Sequence, residues 1–347
     1  MKNRGGFDAG MKRDIVPLHP MAITVNFTWN DAVSGDAGYE PYITAATKLV
    51  QQLKSSGARV ALLAPSPNED YAANQPAGSP YNRMLWKYAL GLKKIAEQEN
   101  VRFVDSHTPF VTAIETGRQA GVLSPNEAGG KRLTADGAHL NWAGSLVFAT
   151  AILKGLGASA IVSRAEIDAG AGKVLAAEGC KIEMLPPAGG ALAFRRTDEY
   201  VPWFIPVDGR LALQVPGVRA LEDLSRYELR VTNLTAPQYK LTIDDVPAGT
   251  FPKAQLAEGV NLSLQAGPIT AQAEKLFNTV VSKNTLYTKR WSAAIISADS
   301  PDWQGPEGEA ARQKEFGPRD AEIARQEQTI NELRQPVPHV FKLVPVE

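Results

Sequence analysis

The chain has 347 residues, 44% hydrophobic and 21% charged, which is typical of a globular protein with a substantial core. Its 37 Lys and Arg residues balance 37 Asp and Glu residues, and no apolar run approaches the roughly 20 residues of a membrane-spanning helix. We therefore expect neither nucleic acid nor a membrane as a partner. The single cysteine, Cys180, excludes an internal disulfide and a cysteine-based metal cluster, and we predict no metal and no cofactor.

The N-terminal segment, MKNRGGFDAGMKRDIV, is basic but lacks the apolar stretch of a secretory signal. We assign no compartment, because the sequence leaves open whether Met1 is the natural start.

Strands and amphipathic helices alternate in the first half of the chain, each strand closing on polar or proline-containing residues. This order predicts three βα units and a parallel sheet with right-handed crossovers. The predicted strands are Met21–Phe27, 58–67 and 101–107, and the predicted helices are 41–57, 81–100, 109–120 and Asn141–Leu153.

The pattern changes near Ile161. Short alternating segments with turn residues between them predict a β-rich region, and from Thr270 the chain turns helical before an extended tail. We predict three domains: an α/β domain at 1–160, a β-rich region at 161–269 and a helical C-terminal region at 270–347.

Polar residues just past the carboxyl ends of parallel strands gather in one crevice. Asn30 and Asp31 follow the first strand, Ser66 follows the second, and Asp105, Ser106 and His107 follow the third. We expect a substrate-binding site there, with Asp31 and His107 among its candidates. For His107, the alternative is a hydrogen-bonded loop histidine with a structural role.

Asp136 precedes His139 by three residues, just before an apolar helix. This spacing lets the carboxylate accept a hydrogen bond from one imidazole nitrogen, which leaves the other nitrogen free to act as a base. The alternative is that Asp136 only caps the helix and His139 packs nearby. The side-chain amide of Asn30 could donate to a developing oxyanion, or Asn30 could be a turn residue that satisfies its own backbone.

Together, VNFTWNDA and ADGAH resemble blocks III and V of the SGNH (GDSL-like) hydrolases over about residues 3–157. The resemblance implies a flavodoxin-like α/β fold, an acyl-transfer reaction, His139 as general base, Asp136 as its orienting carboxylate and Asn30 in the oxyanion hole. The stretch NRGGFDAG resembles the surroundings of block II, and the resemblance implies that Gly5, Gly6 or Gly10 matches the glycine of the family. Gly10 is the substrate-binding candidate.

Two features depart from the family pattern. Thr28 occupies the position of a glycine in block III, and the Gly-Asp-Ser block with the serine nucleophile is absent. We interpret the chain as an N-terminally truncated member that retains strands 3, 4 and 5 of the family sheet. The segment Ala22–Phe27 is then an open sheet edge, for which we predict a homodimer.

The sequence therefore predicts a hydrolase of carboxylic esters, with acylated carbohydrate as a candidate substrate. The attacking oxygen would come from water or from a serine elsewhere. The alternative is a non-catalytic binding protein on a truncated or degenerate hydrolase scaffold. A third interpretation is that a cloning or gene boundary removed the first strand.

Overall fold

The structure is a computed structural model that describes residues 11, 15–70, 79–124, 131–187, 190–297 and 305–346. The chain forms two compact units. The first consists of Ile15–Ser159 with Ile205–Leu224, and the second contains Ala160–Phe204 and Ser225–Glu347. The predicted α/β class, with a parallel sheet, a β-rich segment and a helical C-terminal region, is confirmed.

The first unit is built on a sheet with the strand order β1-β2-β3, in which both described pairings are parallel. A helix follows each strand, as the alternating sequence pattern predicts. The strands are β1 (Ala22–Val25), β2 (Arg59–Leu63) and β3 (Arg102–Val104), and the helices are α1 (Gly35–Ser55), α2 (Pro80–Glu99), α3 (His107–Gln119) and α4 (Trp142–Leu156).

Helix α2 shows how local sequence sets these elements. Ser79 caps its N-terminus by accepting a hydrogen bond from the backbone N–H of Asn82 at 3.0 Å, and Pro80 occupies the first helical position. Asn100 ends the helix in the left-handed conformation. One face of the helix is buried, including Leu85, Tyr88, Leu92 and Ile95.

Strand β1 lies at one edge of this sheet. Among the described residues it pairs only with β2. Met21, just before the strand, is 83% exposed, and Phe27, just after it, is 58% exposed. With respect to the described residues, the edge thus carries unpaired backbone groups beside exposed apolar side chains.

The segment Ile205–Leu224 also belongs to the first unit. It forms a 3-10 helix (Val207–Gln214) and the short helix α5 (Ala220–Leu224), and both pack against α4. Lys154 of α4 forms an ion pair with Asp223 of α5.

The second unit contains two sheets with a common hydrophobic core. One has the order β10-β9-β12-β7-β6, and the other has the order β11-β8-β4-β5. The last strand of the chain lies in the middle of the first sheet, where the rings of Phe194 and Phe341 stack 5.2 Å apart. The strands are β4 (Ile161–Asp168), β5 (Lys173–Glu178), β6 (Cys180–Met184), β7 (Leu192–Asp198), β8 (Arg226–Thr232), β9 (Gln238–Ile243), β10 (Val246–Pro252), β11 (Val260–Asn261) and β12 (Pro338–Val346).

Three helices complete the second unit: α6 (Lys253–Glu258), α7 (Pro268–Ser297) and α8 (Gly305–Leu333). Helices α7 and α8 pack against each other, and ion pairs such as Lys283 with Glu327 join their polar sides. In the described part of the chain, no helix is both long enough and apolar enough to cross a membrane.

Candidate functional site

The loop before α4 presents Asp136 and His139 at its tip. An isolated β-bridge joins Thr134 to Leu140, and the backbone N–H of Ala135 donates to the carbonyl of His139 at 2.7 Å. At the tip, Gly137 has a φ of +90°, a backbone conformation that a side chain would strain. The loop is therefore a closed hairpin-like turn, and its narrow tip holds the Asp-x-x-His spacing.

Asp136 and His139 form a hydrogen-bonded dyad. Nδ1 of His139 lies 2.7 Å from Oδ2 of Asp136. Oδ1 of Asp136 accepts from the backbone N–H groups of Ala138 at 3.0 Å and His139 at 2.8 Å. The hydrogen bonds from the backbone and side chain of His139, followed by the one from Ala138, hold the pKa of Asp136 well below its usual range. The carboxylate thus stays charged beside the imidazole.

The other ring nitrogen of His139 is open. Its side chain is 84% exposed, and within the described ranges Asp136 is its only hydrogen-bonding partner. Because the charged carboxylate of Asp136 can only accept a hydrogen bond, the proton lies on Nδ1, and Nε2 of the neutral ring carries the lone pair. The alternative role of Asp136 as the helix cap is wrong, since Asn141 caps α4 by accepting from the N–H of Gly144 at 2.9 Å.

Asn30 lies in a short helical turn, Thr28–Asp31, that follows β1. The indole N–H of Trp29 donates to the carbonyl of Ser66 at 3.0 Å, and the hydroxyl of Tyr81 donates to the carbonyl of Trp29. The turn is therefore held by its neighbours on both sides. Asn30 is exposed, and its side chain makes no hydrogen bond with any described residue, its own backbone included.

Thr28, which stands where block III of the similar family has a glycine, is completely buried. Its hydroxyl pairs with that of Tyr42 at 2.9 Å, inside the cluster of aromatic rings between α1 and α2. Thr28 is thus part of the packing that supports the turn.

Asp31 stands beside several tyrosines. Partial burial raises the pKa of its carboxyl group. Burial, and secondarily the charge of Asp31, raise the pKa of Tyr81 to about 12. An acid here retains its proton to a higher pH than one in water, while the nearby phenol remains neutral at physiological pH.

His107 lies at the carboxyl end of β3 and begins α3. Its ring is buried, Nδ1 lies 2.9 Å from the carbonyl oxygen of Pro65, and the ring of Trp86 packs 5.4 Å away. Burial lowers the pKa of His107, so the ring is neutral. This geometry favours the structural role of His107. Gly10 lies outside the described residues.

The Asn30 turn and the dyad loop both contact the segment after β2. Trp29 bonds to Ser66, and the backbone N–H of Glu69 donates to the carbonyl of Gly137 at 2.8 Å. Ser66 and Glu69 are three residues apart, so the two contacts are separated by at most about 11 Å of extended chain. The segment after β2 thus contacts both the turn that carries Asn30 and the loop that carries His139.

Glu69 and Arg132 are functional candidates that the sequence did not reveal. The carboxylate of Glu69 is buried beneath the dyad loop and binds its backbone, and Arg132 bridges Glu69 and Asp70. The one available signal was the pair of acids in PSPNED, directly after a buried strand.

The serines at the strand ends do not hydrogen-bond to His139. Ser106 is buried and donates to the carbonyl of Ala64 at 2.5 Å, and Ser66 is buried as well. Within the described ranges, no serine hydrogen-bonds to the imidazole, and no group of three or more His, Cys, Asp or Glu side chains could hold a metal ion.

No protein-family model matches the sequence, and no curated protein matches it significantly. Among solved structures, the chain is similar to a gut microbial diltiazem-metabolizing enzyme, with 20% identity and a TM-score of 0.75 over 98% of this chain and 87% of the other. It also aligns with Axe2, an acetylxylan esterase from Geobacillus stearothermophilus, with 23% identity and a TM-score of 0.34 over 43% of this chain and 65% of Axe2. The similarity to the first of these structures shows that the two proteins share a fold.

Proposed function

We propose that this chain is a hydrolase of carboxylic esters of the SGNH type. His139 would be the general base, Asp136 would orient it, and Asn30 would donate to the oxyanion. The observation that supports the proposal is the 2.7 Å contact between Nδ1 of His139 and Asp136, with Nε2 left open.

In this mechanism, Nε2 of His139 removes the proton of an attacking hydroxyl as its oxygen bonds to the ester carbonyl carbon. The carbonyl electron pair moves to the carbonyl oxygen, and the side-chain amide of Asn30 donates a hydrogen bond to this oxyanion. The intermediate then collapses, and the imidazolium returns its proton to the departing alkoxide. Asp136 stabilises the imidazolium during both steps.

We propose that water is the attacking group, because no serine in the described part of the chain hydrogen-bonds to His139. Base and oxyanion stabilisation without a serine nucleophile leave an acceleration of about 10³–10⁴ over water. Acylated carbohydrates are the proposed natural substrates, and Asp31, the last residue of the turn that carries Asn30, would contact the alcohol portion.

Hydrolysis of p-nitrophenyl acetate tests the assignment. We expect His139→Ala to lower kcat by about 10²–10⁴-fold, the usual contribution of a general base. His19→Ala is the matched control, since His19 is also exposed and lies outside the loop; it should hydrolyse the ester at the wild-type rate. Equal rates for wild type and His139→Ala would contradict the proposal.

A serine-directed phosphonate separates the two sources of the attacking oxygen. With water as the nucleophile, the protein should remain unlabelled while it turns over the ester. A labelled serine, located by mass spectrometry, would replace water in the mechanism and leave the base assignment intact.

A non-catalytic binding protein is the alternative. It is favoured by the absence, among the described residues, of a serine hydrogen-bonded to His139. Under this alternative the wild type would bind acetylated sugars, measured by calorimetry, without hydrolysing them faster than His139→Ala does.

A further inference from the structure

Glu69 lies beneath the loop that carries the dyad, and its carboxylate is enclosed there. The side chain is only 1% exposed. Oε1 accepts from the backbone N–H of Leu133 at 3.2 Å, and Oε2 accepts from the N–H of Thr134 at 2.8 Å and from its hydroxyl. Nε of Arg132 lies 3.7 Å from Oε2 and supplies a positive charge.

Glu69 also holds the tip of the loop. Its own N–H donates to the carbonyl of Gly137 at 2.8 Å. The hydroxyl of Thr134, bonded to the Glu69 carboxylate, accepts from the N–H of Gly137 at 3.1 Å. The peptide groups on both sides of Gly137 are thus tied to Glu69, one directly and one through Thr134. These are two of the three peptide groups that join Asp136 to His139.

The groups around Glu69 fit a charged carboxylate and not an amide. A carboxylate removed from water is unfavourable unless donors and an opposite charge surround it, and here three donors and Arg132 do so. A glutamine of the same size could not reproduce the pattern, because its NH₂ group would face hydrogen-bond donors where Glu69 presents an acceptor. The loop geometry therefore depends on an acceptor-only side chain at this position.

From this geometry we infer that Glu69 is a positioning residue that sets the orientation of the Asp136–His139 dyad. Its effect on catalysis rests on the proposed hydrolase function, whereas its effect on the loop does not. Glu69 touches neither the imidazole nor an ester, and it acts through Thr134 and Gly137.

The test follows the titration of the Asp136 carboxyl group by carbon NMR, with Asp136→Asn to assign the signal. Glu69→Gln should move the pKa of Asp136 upward, towards its ordinary range, because the loop no longer aligns the N–H groups of Ala138 and His139. Glu99→Gln is the matched control, since Glu99 is also hydrogen-bonded but lies at the opposite end of the strands, before β3. It should leave the titration unchanged.

Activity supplies the second measurement. A misplacement of about 1 Å lowers rates by up to 10²-fold, so Glu69→Gln should lower kcat by about 10–100-fold with little change in KM. If the wild type hydrolyses no ester, the proposed function fails while the Asp136 titration still decides the role of Glu69. A folded Glu69→Gln protein with the wild-type Asp136 titration would overturn the inference, whatever its activity.

Thr134 keeps the inference testable if Glu69→Gln does not fold. Thr134→Val removes the hydroxyl that links Glu69 to Gly137, and it should shift the Asp136 titration in the same direction. Thr134→Ser retains the hydroxyl and should restore the wild-type titration. An unchanged titration in Thr134→Val would contradict the positioning role.

Discussion

Replacing Gly144 with alanine would test how closely α4 packs against the loop that carries the dyad. Gly144 is buried in the first turn of α4. A Cβ atom on it would lie 1.9 Å from the carbonyl oxygen of Leu133 and 2.9 Å from its carbonyl carbon. Leu133 cannot move freely, because its N–H donates to Glu69 and its carbonyl accepts from Asn141 at 3.2 Å.

Two effects oppose each other in Gly144→Ala. Alanine is better than glycine in a helix interior by about 1 kcal/mol. Overpacking costs about 1–3 kcal/mol, and the upper end applies here because the obstacle is backbone and cannot rotate away. We therefore expect a net loss of about 2 kcal/mol in the free energy of unfolding. On the proposed function, the displaced loop should also lower the rate of ester hydrolysis.

Gly91→Ala is the matched control. Gly91 is also a buried helix glycine of the first unit, but its Cβ would meet side-chain ends, Cδ1 of Ile43 at 2.4 Å and the hydroxyl of Tyr39 at 2.9 Å. These ends can shift, so Gly91→Ala should remain within about 1 kcal/mol of wild type. Urea denaturation followed by circular dichroism measures both variants. Equal stabilities for Gly144→Ala and wild type would refute the packing argument, as would equal losses in the two variants.

Three further predictions concern charge and assembly. Asp136→Asn should be less stable than wild type at neutral pH, because the depressed pKa of Asp136 contributes stability that is complete above its ordinary value and is lost as the pH falls through the folded-state value. The urea midpoints of the two proteins should therefore move closer together as the pH falls below the ordinary range of an aspartate carboxyl group. A difference that does not change with pH would contradict the dyad bond. Asp198→Ala leaves the buried guanidinium of Arg196 without its carboxylate partner. It should therefore lower the free energy of unfolding, measured by urea denaturation, by about 3–5 kcal/mol. A loss under about 1 kcal/mol would contradict this. We also propose a homodimer through the edge of β1 that no described strand pairs with. Light scattering should then give twice the monomer mass, and Thr24→Cys should cross-link two copies under oxidation. A monomeric mass would contradict the pairing.

Helix and strand positions in the first unit were predictable because their signals are local. The pattern predicted α2 at 81–100, and the structure has Pro80–Glu99. Helix α1 begins at Gly35, six residues before the predicted start at Pro41. The helix has Pro41 in its interior. The hydroxyl of Tyr88 donates to the carbonyl of Gly35 at 2.7 Å, a contact between distant residues that sequence spacing does not reveal.

Strand partners in the second unit were less predictable. Strands β4 and β5 were not foreseen individually, and β12 was expected only as an extended tail. Its sequence has the alternation of a half-buried strand, but its partners β7 and β9 lie about a hundred residues earlier or more. Such non-local pairing decides whether an extended segment is a tail or the middle of a sheet.

The candidate site also combines a local contact, which the sequence predicts, with a long-range contact, which it does not. Asp136 and His139 are neighbours in sequence, so their hydrogen bond follows from spacing. Glu69 binds the loop from 64 and 65 residues away, at Leu133 and Thr134, and only the folded chain brings them together. A carboxylate after a strand is common enough that the sequence alone gave it no role.

Because His139 is exposed, the substrate of the proposed reaction must itself exclude water from the reacting atoms. At 84% exposure, the imidazole is largely surrounded by water, where charges interact weakly. Hydrogen bonds from Asn30 and charge stabilisation by Asp136 gain strength only when water is excluded from the reacting atoms. On the proposed function, the ester itself has to cover the loop tip, since within the described ranges His139 contacts no group that shields its Nε2. A bulky acylated sugar can do this, whereas a small activated ester reports mainly the intrinsic basicity of the imidazole.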